Sequence, residues 1–569
     1  MPRAELVATA LPDLGAWWSE YGRPGWVANR WLDGEAVWTL AGQVRGTYRV
    51  EEPGRAPRRL VDASGTGSFT PLSWYDSLRV MPGTGAARQG FDGAMVTVEG
   101  RTGGPGPTGA EGIVDLRSGD GAWDENSLMV SRRDTANWVR IESHGLKRGP
   151  AGTMDLAGRH LWGGGGGMRR GAHTLEFAFA QQGVASRLIG SETEDLSAVT
   201  GSGTYRYERR GRGGELSFAR GRSRSSSGSD DPLLLLRPSR RTSATSELSA
   251  RGWNRAGFSA GARLDDAAVA RDEAFVFTSS TGGLAATNRN VRARSWWGVV
   301  GWEGDAGPGR LSVDVGGGKH DAFARVNLAP AVRYEVRARG MTARLGAERV
   351  LNAVWSDLPA GQLPFLQRSL VGVADLSLGS TRERRLRAVV LAGRTTSRAV
   401  ASRVPLSEAV LRTGWIEDPS PYTFAVASLE ARGTWRRWFG DAMAFGLSRP
   451  AHAIQPDIDP SVGARGIVGG RWRLFTGDLG VEAYAGADFV GARNTEFPAG
   501  PLPRYGVSTA GLLFTLADAT ITIRARNLEN RSWSEPWLDT STGLDPTTGT
   551  PALGPGREIR FALTLNLSN

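Results

Sequence analysis

The end of the chain limits most sharply what the whole can fold into. Ile559, Phe561, Leu563, Leu565 and Leu567 are apolar, and Glu558, Arg560, Ala562, Thr564 and Asn566 stand between them. A period of two marks a β-strand, whose successive side chains point to opposite faces. About ten residues in this pattern is also the length a tilted strand needs to cross a bilayer's hydrocarbon layer. The pattern recurs upstream. Val332, Tyr334, Val336 and Ala338 alternate with Arg333, Glu335, Arg337 and Arg339. Met341, Ala343, Leu345 and Ala347 alternate with Thr342, Arg344, Gly346 and Glu348, and Ile521, Ile523 and Ala525 with Thr520, Thr522, Arg524 and Arg526. One such strand also suits a soluble sandwich. Many of them, with arginine throughout the polar face, predict a closed antiparallel barrel with a wet lumen, because a membrane offers an open sheet edge no water to bond.

Charge distribution supports that reading. The net charge of +11 comes almost wholly from arginine, since Lys147 and Lys319 are the only lysines. A nucleic-acid binder gathers its cations in one stripe. Here they are spread over strand after strand among Asp and Glu, which argues against nucleic acid. Cysteine is absent, which excludes zinc–thiolate sites and thiol catalysis. No stretch approaches the roughly 18 apolar residues of a spanning helix.

Residues 1–108 differ from the rest: short apolar stretches and turn-rich Gly/Pro segments predict a compact mixed α/β domain. The run TGGPGPTG at 102–109 is a natural boundary. Residues 109–569 read as strands and turns alone. Shared among about 22 strands, the count known for plugged transporters, they leave about 21 residues for each strand and its connection. Polar stretches at 221–231, 265–288, 450–460 and 532–555 read as external loops, and Gly163 to Gly167 as a flexible one. Gly440-Asp441 reads as a tight turn. Trp253, Trp296, Trp435, Trp438 and Trp472 read as an interfacial aromatic girdle.

Competing chemistry is thin. Gly257-Phe258-Ser259-Ala260-Gly261 has the spacing of a hydrolase elbow but lies in an alternating strand. Gly316-Gly317-Gly318-Lys319-His320 lacks the spacing and hydroxyl of a phosphate loop. His144, His160, His173, His320 and His452 have no zinc spacing. Asp230-Asp231 and Asp265-Asp266 read as solvated acids. No catalytic residue, metal site or cofactor is expected.

Two N-terminal stretches and the C-terminal end carry a more specific signal. Trp31-Leu32-Asp33-Gly34-Glu35-Ala36-Val37 holds a hairpin dipeptide, Asp33-Gly34. Leu78-Arg79-Val80-Met81-Pro82-Gly83 is followed by Gly90, then Gly93-Ala94, then Met95-Val96-Thr97-Val98. Together these stretches resemble the plug domain of TonB-dependent outer-membrane receptors. Ile523 to Asn530, with Asn527-Leu528, resembles that family's penultimate strand. Gly554-Pro555-Gly556-Arg557, ahead of the strand containing Phe561, resembles its closing lead-in. The resemblance implies a monomeric barrel set in outer-membrane lipid by the barrel assembly machinery, with a plug in its lumen. It further implies uptake of a bulky scarce nutrient, such as a siderophore complex, a cobalamin or an oligosaccharide, driven by a TonB-type partner. The family's energy-coupling segment and signal peptide are not seen before Met1-Pro2-Arg3, so the chain reads as N-terminally shortened. Its last residue is Asn569, where such barrels end in an aromatic. The alternatives are a passive pore or surface receptor without coupling, and a soluble glycan-binding β protein.

Overall fold

The computed structural model describes short strands at 29–30, 36–37 and 48–51, then residues 70–83, 85–101, 108–119, 123–148, 154–188, 192–229, 239–275, 285–354, 364–381, 384–405, 411–448, 460–494, 501–532, 534–538, 551–553 and 556–568. Twenty-two antiparallel strands form one closed ring. Ring neighbours follow in chain order. The ring shuts where Glu558–Ser568 pairs with Gly109–Gly119, setting Leu563 opposite Leu116. No described helix is long and apolar enough to cross a membrane.

Side-chain parity divides the wall into two faces. Leu116, Ile141, Phe177, Leu216, Val300, Leu345, Leu370 and Phe561 are all exposed on the outside. Asp115, Arg117, Glu142, Arg263, Asp375, Arg387 and Arg524, of the opposite parity, are buried on the inside. An apolar exterior around a polar interior is the reverse of a soluble protein and rules out the sandwich alternative. On the lumen side many cations are partnered: Arg387 with Asp375 at 2.8 Å, Arg140 with Glu142 at 3.1 Å, and Arg206 with Glu215 at 3.2 Å.

The two ends of the ring differ. At one end strands are joined by tight connections, such as those from Arg170 to His173, Arg209 to Arg212, Trp435 to Trp438 and Leu516 to Ala519. Arg210 (φ 49) and Gly211 (φ 74) both take the left-handed conformation of a primed hairpin turn, whose twist suits the flanking strands. The opposite end carries the longer connections, including 396–421 and 527–557. These two hold small hairpins of their own, Arg398–Pro405 with Leu411–Asp418 and Ser534–Leu538 with Pro551–Leu553.

Several expectations need correction. Gly163 to Gly167 is the interior of the strand Met154–Arg170, not a loop. A Cβ on Gly164 would lie 2.6 Å from the Arg140 carbonyl oxygen and 3.3 Å from the Phe179 ring, so packing and sheet curvature require glycine there. Strands Arg212–Ser229, Phe258–Phe275 and Ala285–Ala306 extend through most of the stretches 221–231 and 265–288. Each has a neighbour on both sides, so backbone pairing carries the strand past the end of the apolar pattern. Gly440-Asp441 lies within Trp438–Ser448. The turn is Arg436-Arg437, with Arg436 at φ 55. Trp253 has lumen parity and sits 5.5 Å from the Arg206 guanidinium, so it is no part of a girdle. Trp435, Trp438 and Trp472 face outward at the tight-turn end. Trp296 faces outward ten residues from the tight-turn end of Ala285–Ala306. At a tilt of about 45° that is about 24 Å of height, which places it at the opposite rim of the roughly 25 Å apolar band.

Candidate functional site: a segment held against the inner wall

Residues 70–101 run inside the ring. Their wall partners, Arg263, Trp297, Asp314, Glu348, Val371 and Arg387, all have lumen parity. Ser77–Pro82 pairs antiparallel with Val96–Arg101, which pairs in parallel with Tyr48–Glu51. Between the two longer strands lies a single helical turn, Ala86–Gln89, flanked by Gly85 at φ 90 and Gly90 at φ 69.

That turn is held mainly by the wall. The first amides of a helix have no internal partner. Here the carboxylate of Glu348 accepts hydrogen bonds from the Gly85 and Ala86 amides, both at 3.1 Å, although it lies more than 260 residues away in sequence. Arg88 donates to Asp314 Oδ1 from Nε at 3.1 Å and from an Nη at 2.8 Å. Trp297 Nε1 donates to the Ala87 carbonyl at 2.7 Å, and Arg263 to the Gln89 carbonyl at 3.1 Å. Beyond the turn the segment briefly extends the wall's own pairing. Gly93 N–H donates to the Leu351 carbonyl at 2.8 Å, and Ala353 N–H to the Phe91 carbonyl at 2.7 Å. Asn352 Nδ2 adds a bond to the Gly93 carbonyl at 3.1 Å. Arg387, while gripping Asp375, also donates to the Val80 carbonyl at 3.4 Å.

Apolar contact fills the spaces between these polar points. Ala86, Met95 and Val96 pack with Val350, Val371, Leu391, Phe424, Val426 and Leu447 of the wall. Phe91 packs with Trp297, Ala329 and Leu351. On the opposite side Trp74 packs with Ile113, Met129, Leu161, Ala178 and Ala180. Beside it lies a buried charged cluster on the wall. Thr564 donates to Asp115 at 2.8 Å, Arg117 pairs with Asp115 and Glu125, and His144 meets the Trp74 ring edge-on at 6.3 Å.

The glycines singled out in the sequence are points of closest approach. A Cβ on Gly83 (φ 61) would lie 2.5 Å from Val373, on Gly90 3.2 Å from the Trp297 ring, and on Gly93 2.8 Å from the Leu351 carbonyl oxygen. Ala94 is buried and Pro82 half-buried. Val80 packs against the apolar wall cluster, and Arg79, exposed, pairs in register with Glu99. Asp33 and Gly34 lie outside the described residues, between the paired strands Asn29–Arg30 and Ala36–Val37.

At the C-terminal end, Asn527 (φ 56) is buried and closes a turn: its Oδ1 accepts from Arg531 N at 2.9 Å and its Nδ2 donates to the Arg531 carbonyl at 2.7 Å. Leu528 is exposed, Gly556 and Arg557 lie beside Asn530, and Phe561 faces outward. Sequence reasoning missed Glu348, Asp314, Trp297, Arg263 and Arg387. Of these only Glu348 stood on the polar face of an alternating stretch, and no local signal told which lumen residues meet the segment.

Among the described residues no cluster of His, Asp and Glu could hold a metal ion, and His452 lies outside them. Asp265 and Asp266 are ion-paired, with Arg263 at 2.9 Å and with Arg292 and Arg294.

No family model and no curated protein matches the sequence. Solved structures do match the fold. The copper transporter OprC superposes with a TM-score of 0.76 at 13% identity, over 98% of this chain and 95% of that one. The siderophore receptor PirA from Acinetobacter baumannii gives 0.74 at 11% identity, over 100% and 98%. The ferric enterobactin receptor PfeA from Pseudomonas aeruginosa gives 0.76 at 13%, over 100% and 99%. The fold of this chain is therefore that of the large barrel receptors its two end motifs resemble, the TonB-dependent outer-membrane receptors.

Proposed function

We propose that the chain is an outer-membrane receptor and transporter that admits a bulky scarce nutrient through a gated barrel. The observation that carries this reading is the segment 70–101, fixed inside a 22-strand ring by polar contacts that can open and close. A ring of this size without an obstruction is a water-filled channel. An obstruction held by hydrogen bonds and ion pairs, rather than fused into the wall, suits a gate. Residues 1–108 are the plug and 109–569 the barrel. Asp33, Gly34, Arg79, Val80, Pro82, Gly83, Gly90, Gly93 and Ala94 shape the plug, while Asn527, Leu528, Gly556, Arg557 and Phe561 shape the closing strands. The fold neighbours, a copper transporter and receptors for siderophores, support a metal complex as cargo. Force from a TonB-type partner moves the plug, and the barrel works as a monomer.

The test is uptake by cells that lack their own receptors and express this chain. The probes are radiolabelled ferric enterobactin, cyanocobalamin and a maltose oligosaccharide. Accumulation of one of them that disappears when TonB is deleted supports the proposal, and accumulation of none of them overturns it. Planar-bilayer recording separates the passive-pore alternative: the gated reading expects quiet traces, and steady open-channel current favours the pore.

A further inference from the structure

Outside the lumen, the outer wall carries one feature that the transport reading does not use. Over the strands from Trp438–Ser448 to Ala519–Arg526 the outward positions Gly470, Ala483, Ala485, Ala510 and Ala525 are all small. They floor a depression of about 690 Å³ with an almost wholly apolar lining. Trp438 and Trp472 stand at its tight-turn end, edge to face with centroids 6.1 Å apart. From Trp472 the depression reaches back along its strand to Val468, about 14 Å of strand at about 3.4 Å per residue. At a tilt of about 45° that is about 10 Å of height, most of one leaflet of the roughly 25 Å apolar band.

Cations cluster at the same end. The turn joining Trp435 to Trp438 is Arg436-Arg437, both exposed. The Arg437 guanidinium lies 5.5 Å from the Trp438 ring centroid, and Arg436 lies 5.3 Å from that of Trp435. Stacking on tryptophan keeps these guanidiniums at the level where an outward indole meets headgroups.

An apolar trough that spans most of one leaflet and ends under two arginines matches one amphiphile. We propose that this face binds a single phospholipid with an anionic headgroup, its acyl chain in the depression and its phosphate against Arg436 and Arg437. A second copy of the chain does not suit this face, because two-fold pairing would bring like-charged arginines together at the rim.

The test uses the purified full-length chain, equilibrated with equimolar dioleoyl phosphatidylglycerol and phosphatidylcholine, and native mass spectrometry. Wild type is expected to retain one phosphatidylglycerol in preference to phosphatidylcholine. Ala485→Phe with Ala510→Phe, which fills the trough, is expected to lower that retention by about tenfold (about 1.4 kcal/mol). Arg436→Ser with Arg437→Ser is expected to abolish the preference while keeping retention of either lipid. Gel mobility of the unheated protein shows that each variant is folded. Equal retention of the two lipids by wild type overturns the proposal, with no variant needed. So does unchanged retention in the folded Ala485→Phe/Ala510→Phe protein, or a dimeric wild type that this pair of substitutions makes monomeric.

Discussion

Replacing Glu348 by alanine should free the helical turn of the lumen segment while leaving the barrel intact. The carboxylate is buried, 4% exposed, and accepts the Gly85 and Ala86 amides at 3.1 Å each. Without it two buried N–H groups lose their acceptor, and each such loss costs about 1–3 kcal/mol. The local opening free energy of residues 85–89 should thus fall by about 2 kcal/mol or more, which speeds amide exchange there by about 30-fold at the lower bound. The wall strands should keep wild-type exchange, because the ring's pairing does not pass through this side chain. Glu348→Gln retains one acceptor oxygen and should give an intermediate acceleration. Hydrogen–deuterium exchange with peptide-level mass spectrometry reads all three proteins. If the alanine variant exchanges at 85–89 within about threefold of wild type, the wall carboxylate is not what caps this turn.

Gly164→Val should prevent assembly or cost about 3 kcal/mol, since its side chain would press on the Arg140 carbonyl; loss of heat-modifiable gel mobility reports it, and native mobility would refute the packing argument. Val468→Arg puts a charge on an outward site that is 68% exposed, and should lower stability in vesicles by about 2–4 kcal/mol. Urea titration measures this, and no change would mean that Val468 does not face lipid. Asp134, in the turn between Arg133 and Asn137, is held below the ordinary carboxylate range by the Ala136 and Asn137 amides, which donate to it. Its contribution is therefore present above the unfolded carboxylate pKa and lost as pH falls through the lower folded value. Exchange at Asn137 should accelerate in acid for wild type but not for Asp134→Asn.

What was legible in the sequence followed from parity. Leu345 and Leu370 outside, with Glu348 and Asp375 inside, come directly from alternation, because lipid and lumen each select one face. What escaped it were features set by neighbours distant in sequence. Five glycines offer no alternation, so Gly163 to Gly167 read as a loop, yet strands on both sides supply the pairing and Phe177 and Phe179 lay their rings over two of them. The Arg436-Arg437 turn lacks turn-forming residues, and its place is fixed by the pairing of Trp435 with Trp438. The glycines of the plug motif were visible as a pattern. Their wall partners were not, since Glu348 and Asp314 are each one lumen acid among many.

The seam of the ring joins its first strand to its last, and the Thr564–Asp115 bond spans 449 positions of chain. No partial product of synthesis that stops short of Glu558–Ser568 can complete this cylinder: until those eleven residues arrive, two bare flanks stay open. Such flanks invite pairing with other chains. The protein must therefore be escorted unfolded, or shielded along both flanks, until its tail is available to zip the wall shut.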